Sequence, residues 1–261
     1  MKLFYSPFHA FVHKVLVCAH ETGYWPSLTR VATFPFKNLA GEMVRGEYSL
    51  AALNPLDKVP TLATDAGQVI YGSQAICEYL DANSRGARLY PDPGPARWDA
   101  LTRMALCDMG FEMTVTLAME RWREPTQRNL ATYEWLWPKL RTALGKLERD
   151  ASCGWPGFDI GHASMLHFLS YLGYWCGNVG DDDPLQPNFD WRAGHPQLAA
   201  WYDTTLQRES VRAHFQQPFS GDTSPEYHRR MVEEVLAVQR AQCAPTAQQQ
   251  QAYDAMDGLR R

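Results

Sequence analysis

Along the first eighty residues, short apolar runs alternate with stretches in which apolar side chains return every three or four positions. "KLFY" predicts a strand, and "HAFVHKVLVCAHETG" a helix, with Phe11, Val15, Cys18 and Ala19 at helical spacing and Gly23 as a natural stop. "SLTRVATF" is β-branched and alternating, so it predicts a second strand. A weaker helical stretch over 39–53 follows and ends before Asn54-Pro55. "TLAT" and "QVIY" flank Asp65-Ala66-Gly67, which predicts an antiparallel hairpin. "SQAICEYLDANS" then reads as an amphipathic helix with Ala75, Ile76, Tyr79 and Leu80 on its apolar face. The order β-α-β-α-β-β-α predicts a small mixed sheet between helices.

Near Arg85 the pattern changes. "SRGARLYPDPGPARW" is rich in Pro and Gly and reads as a linker, and beyond it helical periods dominate, over 95–120, 130–150, 162–176 and 195–207. The division expected is an α/β domain over 1–83, a linker over 84–94, an all-α bundle over 95–218 and a tail over 219–261. Within the tail, Pro225 suits a helix first turn, and Tyr227, Met231, Val235 and Val238 form one apolar stripe. The polar, Gln-rich end after it is expected to be partly disordered.

Composition narrows the function classes. A chain of 261 residues with 45% hydrophobic and 21% charged residues suits two globular cores. Net charge is −4 with a pI near 6.1, and the charges are interleaved, which argues against a nucleic-acid partner. No apolar run approaches the ~20 residues of a membrane span, and "MKLFYSPFHAF" lacks a signal-peptide h-region, so a cytoplasmic protein without membrane contact is expected. The six cysteines are scattered singly, as expected of thiols in a reducing compartment. His162 and His167 lack companions at ligand spacing, so no metal is expected.

Candidate chemistry concentrates in "NPLDKVPTLATDAGQVIYGSQAICEYLD". Pro60 opens a strand without an N–H to give to a ladder. If the Val59–Pro60 bond is cis, the backbone N–H and C=O of Val59 are left for a peptide-like ligand; if trans, Pro60 simply begins an edge strand. Ser73 either caps its helix or, with Gly72 before it, opens a cluster of donors at the positive end of a helix dipole, which suits a carboxylate. Asp108 and Glu112 sit four apart among Met104, Phe111 and Met113. They form either a solvated acidic edge or, with Met109 and Trp122, part of a second-substrate pocket.

In order and spacing, "FYSPFHAFVHKV", "NPLDKVPTL", "YGSQAICEYLD", "FDIGHASMLHFLSYL" and "HPQLAAWYDTTLQRESV" resemble the cytosolic glutathione transferases over residues 1 to about 217. The resemblance implies a thioredoxin-like domain that binds glutathione as co-substrate. It further implies an all-helical domain supplying most of the electrophile pocket, a homodimer and a role in detoxification. "KVP" then places Lys58, Val59 and Pro60 at the family's cis-Pro segment, with the Val59 backbone against the cysteinyl part of glutathione. Ser73 matches the Ser that holds the γ-glutamyl carboxylate. Gly72 departs from the acid or Gln usual before it and removes one side-chain contact. "FDIGHASM" matches the family's helix-capping segment, with Asp159 as cap and His162 three residues on, a folding element.

Catalysis requires the thiol of glutathione as a thiolate. Tyr5 matches the end-of-strand Tyr of several classes. In the pattern S-P-x-S-P-F/Y-V-R-K-V of others, His9 stands at the Ser and Ala10 at the Pro. Tyr5, Ser6 and His9 are thus the candidate donors, each with a plain alternative: core aromatic, turn residue, helix-start residue. A neutral His can donate to sulfur, and a protonated one favours the thiolate more strongly. Without a Cys at that position, glutaredoxin-like exchange is not expected. Three functions stay open: glutathione transfer to a hydrophobic electrophile; a transferase fold that only binds; and glutathione-dependent ether cleavage, dehalogenation or isomerisation.

Overall fold

Strand β1 (Lys2–Tyr5) is short and apolar, and Leu3 and Phe4 are buried on opposite faces of the sheet. The computed structural model describes residues 1–6, 9–33, 35–37, 43–45, 50–121, 123, 125–177 and 189–214. Helix α1 (Ala10–Glu21) follows, then β2 (Thr29–Ala32), β3 (Pro35–Lys37), β4 (Met43–Arg45), β5 (Thr61–Ala63), β6 (Val69–Tyr71) and α2 (Ser73–Ala82). The main sheet runs β2-β1-β5-β6, with β1 parallel to β2 and antiparallel to β5, and β5 antiparallel to β6. The Asp65-Ala66-Gly67 turn forms the expected hairpin, with Gly67 at φ +82°. The sheet and α2 match the thioredoxin-like domain that the sequence implies.

One expected element is replaced. Within 39–53, where a helix was expected, Met43–Arg45 is a strand paired antiparallel to Pro35–Lys37. The helical period there was weak and Gly41 interrupts it, whereas Val44 pairs with Phe36, both strand-favouring residue types.

The helical region contains α3 (Pro95–Arg121), α4 (Leu130–Cys153), α5 (Ile160–Gly177), α6 (Pro196–Thr205) and α7 (Glu209–His214). Contacts divide the chain into two units. One holds Met1–Val12 and Pro26–Ile76; the other holds His13–Trp25 and the described residues from Cys77 onward. In the first, Leu3, Val12, Leu50, Leu62 and Ile76 are fully buried; in the second, Leu117, Leu140, Leu144, Phe168 and Leu172 are. Helices α3 and α5 approach closely because Gly110 faces Phe168, where a Cβ would lie 2.8 Å from the ring, and Gly161 faces the Ala100 carbonyl at 2.6 Å. The expected tail helix and Trp122 lie outside the described residues. No helix among the described residues is long and apolar enough to cross a membrane.

Candidate functional site

Sheet register brings three separate segments to one end of the first unit. Phe4 pairs with Thr61, and Thr61 with Tyr71. One step beyond that row lie Tyr5, Pro60 and Gly72, and one step further Ser6, Val59 and Ser73. Because β1 and β6 both run toward this end, the helices that follow them, α1 and α2, both begin there. Two positive helix ends therefore border the same strip of backbone.

The Val59–Pro60 peptide is cis. Val59 is buried, and among the described residues neither its N–H nor its C=O takes a hydrogen bond. The loop before it is held by a residue that the sequence reading passed over. Asn54 Nδ2 donates to the Lys58 carbonyl (2.9 Å) and to Thr61 Oγ1 (3.2 Å), while its Oδ1 accepts the Leu56 N–H (3.0 Å). Thr61 Oγ1 donates to the same Lys58 carbonyl at 2.9 Å. Asn before Pro is a turn signal, and it marks the residue that organises the loop. The Lys58 side chain is exposed.

At the start of α2, Gly72 sits at φ +86° and its carbonyl accepts the Ile76 N–H at 3.1 Å. Gly72 is therefore the cap and Ser73 the first helical residue, so the Ser73 hydroxyl does not serve as the cap. Ser73 is 8% exposed, and its hydroxyl bonds to no other described residue. A Cβ on Gly72 would meet nothing within 4 Å, yet the positive φ strains any L side chain.

The three candidate thiol donors fall on consecutive stretches of one segment. Tyr5 ends β1, is 6% exposed, and its carbonyl accepts the Thr33 N–H at 2.8 Å. Ser6 is buried and its carbonyl accepts the His9 N–H at 3.2 Å; the His9 carbonyl in turn accepts the Val12 N–H at 2.8 Å. His9 is half-buried, with its ring 5.8 Å from that of Phe11. Register thus brings Tyr5, Ser6, Val59, Pro60, Gly72 and Ser73 to one sheet end, and His9 follows with its N–H on the Ser6 carbonyl.

Asp108 and Glu112 belong to the second unit and do not form one acidic edge. Asp108 is buried, and Lys14 Nζ, itself 1% exposed, donates to its Oδ2 at 2.6 Å. His167 Nε2 lies 3.5 Å from the other oxygen. Burial alone would raise the Asp108 carboxyl, but His167 and Lys14 outweigh it and hold the group well below the usual carboxylate range. Burial pushes His167 down. Lys14 and Asp108 are 94 positions apart, and no local pattern announces them. Glu112 is exposed on another face.

The start of α5 closes on itself. The His162 N–H donates to Asp159 Oδ1 (3.1 Å), and the Asp159 N–H donates to His162 Nδ1 (3.1 Å), a reciprocal capping box with His in place of Glu. Arg103 Nη1 adds bonds of 2.9 and 2.8 Å to the two Asp159 oxygens. Burial lowers the pKa of His162, although Asp159 Oδ1, 2.9 Å from its Nδ1, pulls the other way. Among the described residues, no group of three or more His, Cys, Asp or Glu is arranged to hold a metal ion.

Comparison with known proteins bears on this arrangement. A family model described as "Glutathione S-transferase, N-terminal domain" matches residues 10–83. A search of curated proteins found no match. A glutathione transferase family member from Pseudomonas fluorescens Pf-5, solved with bound glutathione, is 33% identical, with a TM-score of 0.68, 84% of this chain and 99% of that one being covered. A glutathione S-transferase from Methylobacillus flagellatus KT, also solved with glutathione bound, is 26% identical with a TM-score of 0.67, covering 82% of this chain and 98% of that one. With 33% identity over nearly the whole of the Pseudomonas protein, and the same thioredoxin-like sheet followed by helices, this chain belongs to the glutathione transferase family.

Proposed function

We propose that this chain binds glutathione along the sheet end and transfers it to a hydrophobic electrophile. The observation that carries this reading is the convergence, by register, of the Val59 backbone, the Ser73 hydroxyl at the start of α2 and the residues that open α1. The Val59 N–H and C=O would pair with the cysteinyl amide. Ser73 would donate to the γ-glutamyl carboxylate, which the α2 N-terminus also favours. Glutathione supplies the nucleophile: its sulfur, having lost the thiol proton, bonds to the electrophilic carbon as the leaving group departs with the bonding pair. Tyr5, Ser6 or His9 would stabilise that sulfur charge, aided by the α1 dipole. Calorimetric titration with glutathione tests the reading. Micromolar to low-millimolar binding supports it, and no binding at any accessible concentration overturns it.

A second reading, a fold that binds without catalysis, is favoured by Gly72, which leaves the contact expected from an acid or Gln unmade. Glutathione binding with no turnover of an activated aryl halide, unchanged in Tyr5, Ser6 and His9 variants, would select it.

The active form is proposed to be a homodimer. Every exposed position of α3 from 102 to 119 falls on one line with Trp98: Thr102, Ala105, Met109, Glu112, Thr116 and Met119, spaced alternately by four and three. Trp98, Met109 and Met119 are 67%, 57% and 51% exposed. The line is nearly self-complementary about Met109. An antiparallel second copy would set Trp98 against Met119, Thr102 against Thr116, and Ala105 against Glu112, as a two-fold contact requires. Light scattering should report a dimer that Met109→Glu converts to monomer; a wild-type monomer would overturn this assignment.

A further inference from the structure

Between the first turns of α3, the end of α4 and the 154–159 turn lies a cavity of about 620 Å3, room for a small organic molecule. It belongs wholly to the second unit. Its wall is largely apolar: Leu89 and Leu147 are buried, and Leu106, Trp155 and Phe158 are half-buried along it. A Cβ on Gly154 or Gly157, which also line it, would meet nothing within 4 Å. None of the residues assigned to the thiol or to the electrophile lines this cavity, and only Thr102 is shared with the α3 line assigned to the dimer.

Arg103 stands in the wall with 9% of its side chain exposed. Its Nη1 donates to the two Asp159 oxygens at 2.9 and 2.8 Å, which fixes the guanidinium in place. The opposite edge is unused. Nε is buried without a hydrogen-bond partner, and Nη2 bonds to no other described residue. The N–H groups of Nε and Nη2 run parallel, and this two-donor edge of arginine matches the two oxygens of a carboxylate. A buried donor without a partner is costly, so an oxygen supplied by a ligand would relieve it.

The surroundings select the rest of the ligand. The Trp155 ring centroid is 5.2 Å from the guanidinium carbon, so a flat group held at Arg103 has an indole beside it. The other charges along the wall are engaged with one another or lie in solvent: Lys146 with Asp150 at 2.6 Å, Arg88 with Asp81 at 3.0 Å, and Asp99 exposed. One anionic group therefore finds one open donor edge, and the remaining surface is hydrocarbon. We propose that this cavity is a second ligand site, for a small carboxylic acid with a flat apolar body. The carboxylate lies on the Nε–Nη2 edge of Arg103, and the body lies against Leu106, Leu147 and Trp155.

Cys153 lines the cavity with its thiol exposed, whereas the other described cysteines are buried. Its alkylation by iodoacetamide in the full chain, followed by peptide mass spectrometry, therefore reports from the site itself. Millimolar 2-naphthoate should slow alkylation of Cys153 about fivefold or more relative to free cysteine in the same solution. 2-Naphthamide, the same body without the charge, should need about tenfold higher concentration for equal protection. Arg103→Lys keeps a positive charge beside Asp159 but lacks the two-donor edge, so its protection by 2-naphthoate should fall to that given by the amide. Absence of protection by 2-naphthoate up to its solubility, equal protection by the amide, or full protection in folded Arg103→Lys would overturn the proposal. Should Arg103→Lys fold poorly, the two ligands compared on the wild-type chain still decide the matter.

Discussion

Two helix beginnings in this chain are built in opposite ways. At the start of α5, Asp159 and His162 satisfy each other's backbone N–H groups, and Arg103 neutralises the carboxylate. At the start of α2, the cap is Gly72, which has no side chain, and the buried Ser73 hydroxyl bonds to no other described residue. A helix start whose capping groups are engaged by its own side chains stabilises the fold and offers fewer donors to a ligand. One capped by glycine keeps donors and positive potential available. The difference separates the proposed glutathione contact, Ser73, from His162, a buried histidine with a shifted pKa and a structural task.

The comparison is broken most severely at α5. Asp159→Ala removes the cap and leaves Arg103, whose side chain is 9% exposed, without its carboxylate, so a loss of about 3 kcal/mol is expected. The urea midpoint of unfolding checks this, and a shift equivalent to under about 1 kcal/mol would contradict it.

Ser73→Ala probes the other beginning. It should leave the urea midpoint nearly unchanged while weakening glutathione binding about tenfold or more, the effect of one lost hydrogen bond to a charged group. Unchanged affinity with a large loss of stability would reverse the assignment.

The smallest effect sharpens the pH dependence. Burial lowers the pKa of His162, so the folded state binds fewer protons than the unfolded, and stability is lost as pH falls below about 6.5. His162→Gln keeps an acceptor for the Asp159 N–H without the titration. Its stability should depend less on pH between 7 and 5 than that of wild type. A slope as steep as wild type would remove His162 from the account, leaving His167, also lowered by burial, as a source of the pH dependence.

Legibility followed the range of the interactions involved. The longer helices of the second unit, α3 to α6, were readable because each repeats its apolar positions over ten residues or more, so small errors average out. The stretch 39–53 was misread because a strand of three residues, Met43–Arg45, carries no period to detect. Its pairing with Pro35–Lys37 is a relation between two segments, and neither displays it alone. Asn54 was visible only as a turn residue, while its hold on Lys58 and Thr61 depends on how the loop folds back.

By itself, the sequence determined which residue types were present for the proposed chemistry on glutathione and where most helices run, because local periodicity and motif spacing carry that information. It also determined that position 72 has no side chain. The tertiary structure alone decided that Lys14 lies against Asp108, that His20 meets His214 across 194 positions, and that Ser73 is a helical residue beside its cap. These outcomes follow from desolvation and geometry. A charge 94 residues away becomes a partner only when packing expels the water between them, and a hydroxyl becomes available only when the backbone takes another cap.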